Sequence, residues 1–583
     1  MNFKPTHKLA QILTAAMVLG GVQAAQAQVY NRIAPNTPPA QPTAPIDNPK
    51  AAAPLPSSAK VIRPALQGVL FVAGQDKLVK EGLPVSAAGP TGMTASGLPL
   101  LNDPAFQAVV KPYIGQPMTL DLLNKVAHAT LNYYRDHGQP FVDVTIPPQN
   151  INDGLVQVVV TNYRIGEVTA SGNHYFSSAS IIAASGLKPG QTLSIDGLEN
   201  DLSWVNQNPF RNVNAVFKPG HQTGLTDVDL QTQDQLPLRF YMGYDNEGVP
   251  GLGQNEWNFG FNWGNAFGLG QIFSYQYTRS FSGRFTGHSV SDVIPLPWRD
   301  KLLIFGSYEL QKPFIASGFD NLGRSGQASF RYVHMLPSLP WLTGDVQLGY
   351  DFKTSNSNLE FGGFQVFSDS TQIDQFVLTY DGNETDRYGQ TTIENDFIGS
   401  PGGLMGSNKT IAFQQFVPGA TANYVYDRLG LTRTTKLPAG ITWVARVLGQ
   451  VASVNLLDSE QLAGGGPDSV SGYYTSTALG SEGELINQTV YAPAFSPMGL
   501  LHLHLPVQDV AQVGVFWDYA NLYQHTPIPN MQRHEDIASA GVTANYTVAK
   551  NTNVQFAMGW QLRDAPGQTK RGGFGQISLV VGY

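Results

Sequence analysis

A chain of 583 residues has room for several domains, and only 13% of these residues are charged, with a formal net charge of −8. Soluble domains carry about 25% charged residues, so this scarcity, together with 61 Gly, 30 Phe and 24 Tyr, favours an aromatic-rich, all-β architecture. The lack of Cys excludes disulfides and thiolate metal sites, and the mild acidity disfavours nucleic acid as a partner.

The first 27 residues have the pattern of a secretory signal peptide. Lys4 and Lys8 supply the positive start, a short apolar core follows over residues 9–22, and Ala25-Gln26-Ala27 forms a small-x-small cleavage site. An ordinary N-terminal helix is the alternative. We expect a mature chain that starts at Gln28 and lies beyond the inner membrane.

Residues 28–58 hold eight prolines among Ala, Gln, Thr and Asn. No periodic apolar pattern survives at this density, because proline removes a backbone donor and fixes its own φ angle. We therefore predict an extended or disordered linker, and a helical plug in this stretch is not expected. The sequence leaves open whether the linker enters a pore.

Residues 60–161 and 162–235 are predicted to form two small α/β modules with the same order of elements. The helix over 119–137 is the clearest element, since its apolar residues repeat at three and four positions and Gly138 marks its end. The other predicted elements of the first module are strands 68–73, 142–146 and 155–161. Those of the second module are strand 163–171, helices 178–184 and 195–206, and strands 214–218 and 226–232.

From residue 238 to 583, segments of alternating apolar and polar residues are separated by turns, and we count about sixteen strands. Short connections alternate with long ones, which is typical of a transmembrane barrel with both ends in the periplasm. A soluble β-sandwich is the alternative. The predicted long connections are 313–325, 355–369, 399–418, 456–496 and 523–535.

Several local motifs follow one another in a fixed order: Asn208-Pro209-Phe210-Arg211, Pro219-Gly220, Asp245-Asn246 and Gly268-Leu269-Gly270. In these motifs and their order the chain resembles the outer-membrane transporters of two-partner secretion (TpsB class, haemolysin-activator type). The resemblance covers residues 60–583. It implies a mainly β fold, in which two polypeptide-transport-associated (POTRA) domains precede a 16-stranded transmembrane β-barrel over 238–583.

The long connection 456–496 carries the motif that the resemblance links to gating. Val470, Ser471, Gly472 and Tyr473 are similar to the family's Val-Arg-Gly-Tyr/Phe tetrapeptide, which lies at the tip of a loop folded back into the barrel. Asp518 stands where a lumen aspartate pairs with the arginine of that tetrapeptide. Alternation supports a lumen position for Asp518, because a carboxylate that faces lipid is costly.

Ser471 departs from the family pattern, because it stands where the arginine is expected. Serine can hydrogen-bond to Asp518 but cannot form a bidentate ion pair. Either another cation takes over, or the loop is held more loosely. A solvated lumen position for Asp518, without a gating role, is the alternative interpretation.

The resemblance implies a pore, not an enzyme, that recognises an unfolded exoprotein client (TpsA-like) in the periplasm and secretes it to the cell surface. Outer-membrane lipid and the barrel assembly machinery are the other expected partners, and no cofactor or metal is expected. His502 and His504 have the spacing of a strand metal pair, but no third ligand lies nearby. The alternatives are a factor that inserts other barrels, which usually has more POTRA modules, and a passive porin, which needs none.

The last strand ends in Ile577, Leu579, Val581 and the terminal Tyr583, which share one face and resemble the C-terminal signal by which barrels are recognised for insertion. We expect deletion of Tyr583 to lower the amount of inserted barrel. The heat-modifiable band of outer-membrane fractions measures this amount, and Tyr583→Phe, which keeps the aromatic end, is the matched control. An unchanged amount after deletion would contradict the prediction.

Overall fold

The computed structural model describes residues 28–40, 57–139, 141–222, 224–313, 319–337, 339, 341–361, 364–502, 507–527, 533–549, 551–565 and 571–583. They form two compact units. One unit contains the described residues up to Pro39 together with Leu236–Tyr583, and the other is Ala40–Gln235. The predicted signal peptide, residues 1–27, lies outside the described residues.

The first element, helix α1 (Gln28–Ile33), corrects the prediction of an extended linker throughout 28–58. Its residues Tyr30 and Ile33 are buried inside the barrel unit, where the Tyr30 ring centroid lies 4.6 Å from that of Phe305. The prolines begin only at Pro35, so the preceding residues are free to form a helix. The apolar partners of α1 come from distant strands, and no local pattern reveals them.

The first α/β module, residues 60–162, has a sheet of order β3-β2-β6-β5, in which β2 is parallel to β3 and to β6. Its elements are β1 (Val61–Arg63), β2 (Gly68–Ala73), β3 (Met93–Ser96), α2 (Pro104–Val110), β4 (Met118–Thr119), α3 (Leu120–Asp136), β5 (Val142–Thr145) and β6 (Leu155–Asn162). The Thr119 side chain caps α3 by accepting from the Leu122 backbone N–H at 3.0 Å. The apolar stripe of α3, with Val126 at its centre, packs into the module's core.

The second module has a three-stranded sheet of order β7-β9-β8, with β7 parallel to β9. Its elements are β7 (Arg164–Ser171), α4 (Ser178–Ser185), α5 (Ile195–Val205), β8 (Arg211–Pro219) and β9 (Leu225–Asp234). Ser177 and Ser194 cap the two helices. The prediction of two α/β modules is confirmed. Within the described ranges, no helix is long and apolar enough to cross a membrane.

The unit that contains Leu236–Tyr583 is a closed barrel of sixteen wall strands, which confirms the predicted number. Its elements are β10 (Leu238–Asp245), β11 (Glu256–Ala266), β12 (Gln271–Ser280), β13 (Phe285–Pro295), β14 (Lys301–Gln311), β15 (Phe319–Met335), β16 (Leu342–Phe361), β17 (Phe364–Asp386), β18 (Gly389–Pro401), α6 (Thr410–Phe416), β19 (Asn423–Lys436), β20 (Thr442–Ala452), β21 (Leu462–Gly464), β22 (Ala478–Gly480), β23 (Glu482–Tyr491), α7 (Pro497–Leu500), β24 (Asp509–Tyr523), β25 (His534–Val548), β26 (Thr552–Gln561) and β27 (Gly573–Gly582). Strands β21 and β22 pair only with each other. The pairing of β10 with β27 closes the wall, so no sheet edge faces lipid.

The predicted connection 355–369 is wrong, because strands β16 and β17 run through most of it. They are 20 and 23 residues long, whereas about 9–11 residues suffice to span a bilayer. Ser355 to Asn358 have no apolar face and therefore look like a loop. Strands that continue past the lipid need no apolar face.

The predicted inward loop 456–496 is too long, because residues 482–491 form the wall strand β23. We call residues 453–481 the inner loop. The sequence of β23 does not alternate between apolar outward and polar inward residues. Leu485 is buried in an apolar cluster with inner-loop residues, whereas Gln488 accepts a hydrogen bond from the outward-facing Trp443. The partners of these side chains, and not their own polarity, decide their orientation.

Asp234, at the end of β9, accepts hydrogen bonds from the backbone N–H groups of His174, Tyr175 and Phe176 at 2.7–3.0 Å. Burial acts to raise the pKa of Asp234, but these N–H groups and the nearby His174 ring outweigh it, so the pKa lies below its ordinary value. The carboxylate thereby holds the turn that follows β7.

We expect Asp234→Asn to lower the free energy of unfolding of the α/β unit by about 1–3 kcal/mol, because three backbone N–H groups lose a charged acceptor. Since the folded pKa is depressed, this stabilisation is present above the unfolded pKa of about 3.9 and disappears as the pH falls through the lower folded pKa. Urea unfolding of residues 57–235, followed by Trp204 fluorescence at pH 7 and pH 3, measures both effects. The control Asp153→Asn alters an exposed turn residue whose φ of 50° Asn also tolerates; equal effects of the two substitutions would contradict the assignment.

Candidate functional site

Two segments of the chain lie inside the barrel: the N-terminal segment, residues 28–39, and the inner loop, residues 453–481. Helix α1 contacts β12, β13 and β14, and the hairpin β21–β22 of the inner loop contacts β24. Neither α1 nor this hairpin adds a strand to the barrel sheet. The lumen is therefore filled by segments that side-chain contacts hold in place.

The N-terminal segment is held by a buried ion pair and by hydrogen bonds. Nη1 of Arg32 lies 3.1 Å from both carboxylate oxygens of Glu256, and the guanidinium carbon lies 3.9 Å from the ring centroid of Phe285. The backbone N–H of Asn36 donates to Tyr241 Oη at 2.9 Å, and Arg239 donates to the carbonyl oxygen of Asn36 at 3.1 Å. The segment is thus fixed from Arg32 to Asn36.

The tip of the inner loop is buried against the wall. Val470 and Tyr473 are fully buried, and Ser471 is 6% exposed. Tyr473 Oη lies 2.6 Å from the carbonyl oxygen of Arg563 and 2.9 Å from that of Ala538. The structure therefore brings the tetrapeptide predicted from sequence into the lumen.

Asp518 is 4% exposed and accepts hydrogen bonds from neutral donors, while Arg446 interacts with it electrostatically. The backbone N–H of Ser471 donates to Oδ2 at 3.1 Å, and Asn487 Nδ2 donates to Oδ1 at 2.9 Å. The wall cation Arg446 instead donates to the carbonyl oxygen of Asp468 at 2.7 Å. Ser471 and Asp518 thus meet as the resemblance implies, but through hydrogen bonds from the backbone N–H and the side chain of Ser471, which are weaker than an ion pair.

The backbone of Gly472 lies directly against the wall backbone at Gly559. Its N–H donates to Gln576 Oε1 at 3.2 Å, and its carbonyl oxygen accepts from Gln561 Nε2 at 3.0 Å. Gly472 has a φ of 87°, and an added Cβ would lie 2.7 Å from the carbonyl carbon of Gly559. Glycine is required on both sides, because the two backbones touch.

The base of the inner loop carries Glu460, which sequence reasoning did not single out. Its carboxylate lies 2.6 Å from Lys353 Nζ and accepts from Gln375 Nε2 at 3.0 Å and from Tyr426 Oη at 2.8 Å. Glu460 is 1% exposed and Lys353 is 5% exposed. A signal for Lys353 existed, because a charge within a wall strand must face the lumen, but nothing in the sequence identified its partner.

Of the predicted insertion signal, Ile577, Leu579 and Val581 lie on β27 and Tyr583 directly follows it; Val581 and Tyr583 are exposed. The backbone N–H of Tyr583 donates to the carbonyl oxygen of Phe240 at 2.8 Å, so the terminus continues the closure of the barrel. The role of these residues in insertion stays a prediction. His504, one of the two histidines considered as a metal pair, lies outside the described residues.

Comparisons with known proteins agree with this architecture. Residues 91–162 match the POTRA domain, ShlB-type, and residues 224–332 match the haemolysin secretion/activation protein ShlB/FhaC/HecB. The outer membrane transporter CdiB of Dickeya dadantii is 22% identical over 500 residues, covering 79% of this chain and 81% of the relative. The heme/hemopexin transporter protein HuxB of Haemophilus influenzae is 21% identical over 430 residues, covering 70% and 71%.

A solved structure of CdiB from Escherichia coli has the same fold, with a TM-score of 0.69, 16% identity and full coverage of both chains. A POTRA domain in the N-terminal α/β region and a closed barrel filled by its own loop define an outer-membrane transporter with its α/β region in the periplasm. Within that class, the match to the ShlB/FhaC/HecB model and the similarity to CdiB and HuxB support a transporter of the TpsB type, which serves two-partner secretion.

We expect Gly559→Ala to displace the loop tip, because the new Cβ would lie 2.6 Å from the carbonyl oxygen of Ser471. Such overpacking costs about 1–3 kcal/mol, which corresponds to a rise of about fivefold or more in the displaced population. Planar-bilayer conductance of the refolded chain measures the change. Gly449→Ala, where an added Cβ meets nothing within 4 Å, is the matched control; a closed Gly559→Ala pore would contradict the role of this contact.

Proposed function

We propose that this chain exports an unfolded exoprotein across the outer membrane and that the N-terminal segment and the inner loop occlude the pore between export events. The observation that carries the proposal is the way the lumen is filled. Both α1 and the hairpin β21–β22 lie outside the hydrogen-bonded sheet of the wall. They can leave without opening the barrel to lipid, so the pore can open while the wall stays intact.

The two α/β modules are the proposed site of client recognition. Their sheets end in the edge strands β3 and β5 in the first module and β7 and β8 in the second. An extended client segment can add to such an edge through main-chain hydrogen bonds, which require little side-chain specificity. This mode selects a chain that has not yet folded. The relatives CdiB and HuxB are transporters, which supports export over the insertion of other barrels.

Folding of the client outside the cell is the proposed driving force. A folded client cannot re-enter a pore that admits an extended chain, so export needs neither nucleotide hydrolysis nor an ion gradient. Reconstituted vesicles that carry this chain test the idea. A client variant that cannot fold is expected to stall, and undiminished export of such a variant would contradict this driving force.

Replacement of residues 457–479 by a short Gly-Ser linker tests occlusion directly. These bounds spare β20 and β23, so the wall stays closed. We expect the low resting conductance of the full chain in planar bilayers to rise sharply after the replacement. Deletion of residues 28–39 in a separate variant isolates the contribution of the N-terminal segment. A large, steady conductance in the unaltered chain would contradict occlusion and favour a passive channel.

A further inference from the structure

A charged cluster surrounds the base of the inner loop, far along the loop from the tetrapeptide. Two oxygens of the Glu460 carboxylate receive four donors, from Lys353, Gln375 and Tyr426 on the wall and from Ser459 beside it. The carbonyl oxygen of Glu460 accepts from wall side chains as well, Gln450 Nε2 at 3.1 Å and Arg428 Nη2 at 3.3 Å. One loop residue is thus bound by several wall strands.

The number of hydrogen-bond donors around the Glu460 carboxylate matters because this carboxylate is buried. A carboxylate removed from water loses its hydration, and the loss is recovered only when a cation and well-placed donors replace the water. Glu460 has both, with a separation of 2.6 Å from Lys353 Nζ. The contact is therefore stable while the loop is seated, and removing the Lys353 charge leaves the Glu460 carboxylate buried without its cation.

The wall does not depend on the loop in the same way. Asp351 lies two residues from Lys353 on the same face of β16, and it is paired with Arg331 at 2.8 Å. Asp351 also interacts electrostatically with Lys353. When Glu460 leaves, Lys353 retains a carboxylate neighbour, while Glu460 enters water. The pair can therefore break and re-form without leaving an isolated charge in the lumen.

The loop tip offers no comparable charge contact. Asp518 is bound there by the backbone N–H of Ser471 at 3.1 Å and by Asn487 at 2.9 Å, and both donors are neutral. Hydrogen bonds between neutral donors and a carboxylate are weaker than a buried, hydrogen-bonded ion pair. The ionic contact between loop and wall thus lies at the base of the loop, with the carboxylate on the loop and the cation on the wall.

We propose that Lys353 and Glu460 form the latch that holds the inner loop in the lumen, in place of the arginine that Ser471 replaces. The proposal rests on the proposed function, since a latch requires that the loop leave the pore. Lys353 and Glu460 are positioning residues: they set how often the loop is released and have no direct role in client recognition.

Planar-bilayer recordings of the full chain test the latch with Glu460→Gln, which keeps the shape of the side chain and removes its charge. We expect the open fraction to rise about tenfold or more, as for the loss of one partner of a buried pair. Lys353→Met should have a similar effect. The double variant should open less than the product of the two single effects, because the two residues act through one contact.

Asp458→Asn is the matched control, since Asp458 is an exposed acid in the same loop, two residues from Glu460. It should leave the closed state unchanged. Asp518→Asn should open the pore less than Glu460→Gln does. If the opposite order is found, the tip is the stronger anchor and the latch proposal is overturned.

A second measurement reports on the loop itself. The chain has no Cys, so Ala478→Cys, at a position 1% exposed, supplies its single thiol. A membrane-impermeant thiol reagent should label this site about tenfold faster when Glu460→Gln is added, by the same loss of a buried pair. Equal labelling rates would overturn the latch. Glu460→Asp keeps the charge but has a shorter side chain, so it should give an intermediate labelling rate if the contact is ionic. If Glu460→Gln or Lys353→Met loses its heat-modifiable band and therefore does not fold, Glu460→Asp takes its place in the test.

The loop replacement separates the two proposals. If replacing residues 457–479 opens the pore while Glu460→Gln and Lys353→Met stay closed, the latch is wrong and the occluded pore stands. If the replacement leaves the conductance unchanged even when residues 28–39 are also deleted, neither segment occludes the lumen and the proposed occlusion fails together with the latch.

Discussion

The bilayer core has no water that could satisfy a backbone N–H or C=O group, so the wall must be a closed sheet, and most other features of this protein follow from that constraint. Closure is achieved where β10 meets β27, with Tyr241 opposite Gly582 and Met242 opposite Val581. Side chains on a closed wall face either lipid or lumen. Charged residues of the wall therefore collect in the lumen, where Arg331, Lys353 and Asp351 are buried together.

A lumen rich in charge cannot be filled by an apolar plug, and the two inserted segments match it accordingly. The N-terminal segment brings Arg32 to Glu256, and the inner loop brings Glu460 to Lys353. In both contacts, a charged residue of an inserted segment pairs with an oppositely charged residue of the wall. The wall is held by a continuous ladder of main-chain hydrogen bonds, whereas the inserts are held by a limited number of side-chain contacts. This difference allows the inserts to be released while the wall stays intact.

The inner loop combines two kinds of anchor. Its tip depends on shape, because Gly472 and Gly559 let two backbones touch, and Tyr473 fills a buried site. Its base depends on charge, through Glu460. Replacement of an arginine by Ser471 at the tip is compatible with a seated loop, because Asp518 receives main-chain and amide donors. The loop position can thus be maintained although the tetrapeptide has lost its cation.

The sequence alone determined those helices and strands whose apolar residues repeat with a clear local period. The alternation of Ile577, Leu579 and Val581 indicated a wall strand, and the three-and-four spacing over 119–137 indicated helix α3. The tetrapeptide and Asp518 were recognised from family motifs. The order of modules and barrel, and the number of wall strands, could also be predicted from the sequence.

Only the tertiary structure decided the features whose partners lie far away along the chain. Helix α1 forms because the barrel supplies Phe305 and Phe285 to pack against it, and the proline-rich surroundings gave no hint of those partners. Strand β23 was assigned to the loop because Leu485 faces an apolar cluster in the lumen, contrary to the usual polar interior. Glu460 and Lys353 are 107 positions apart, and their pairing depends on how the loop folds back into the barrel. A sequence pattern indicates on which side of a strand a residue lies. The partner of a buried charge on that side depends on how distant segments of the chain pack together.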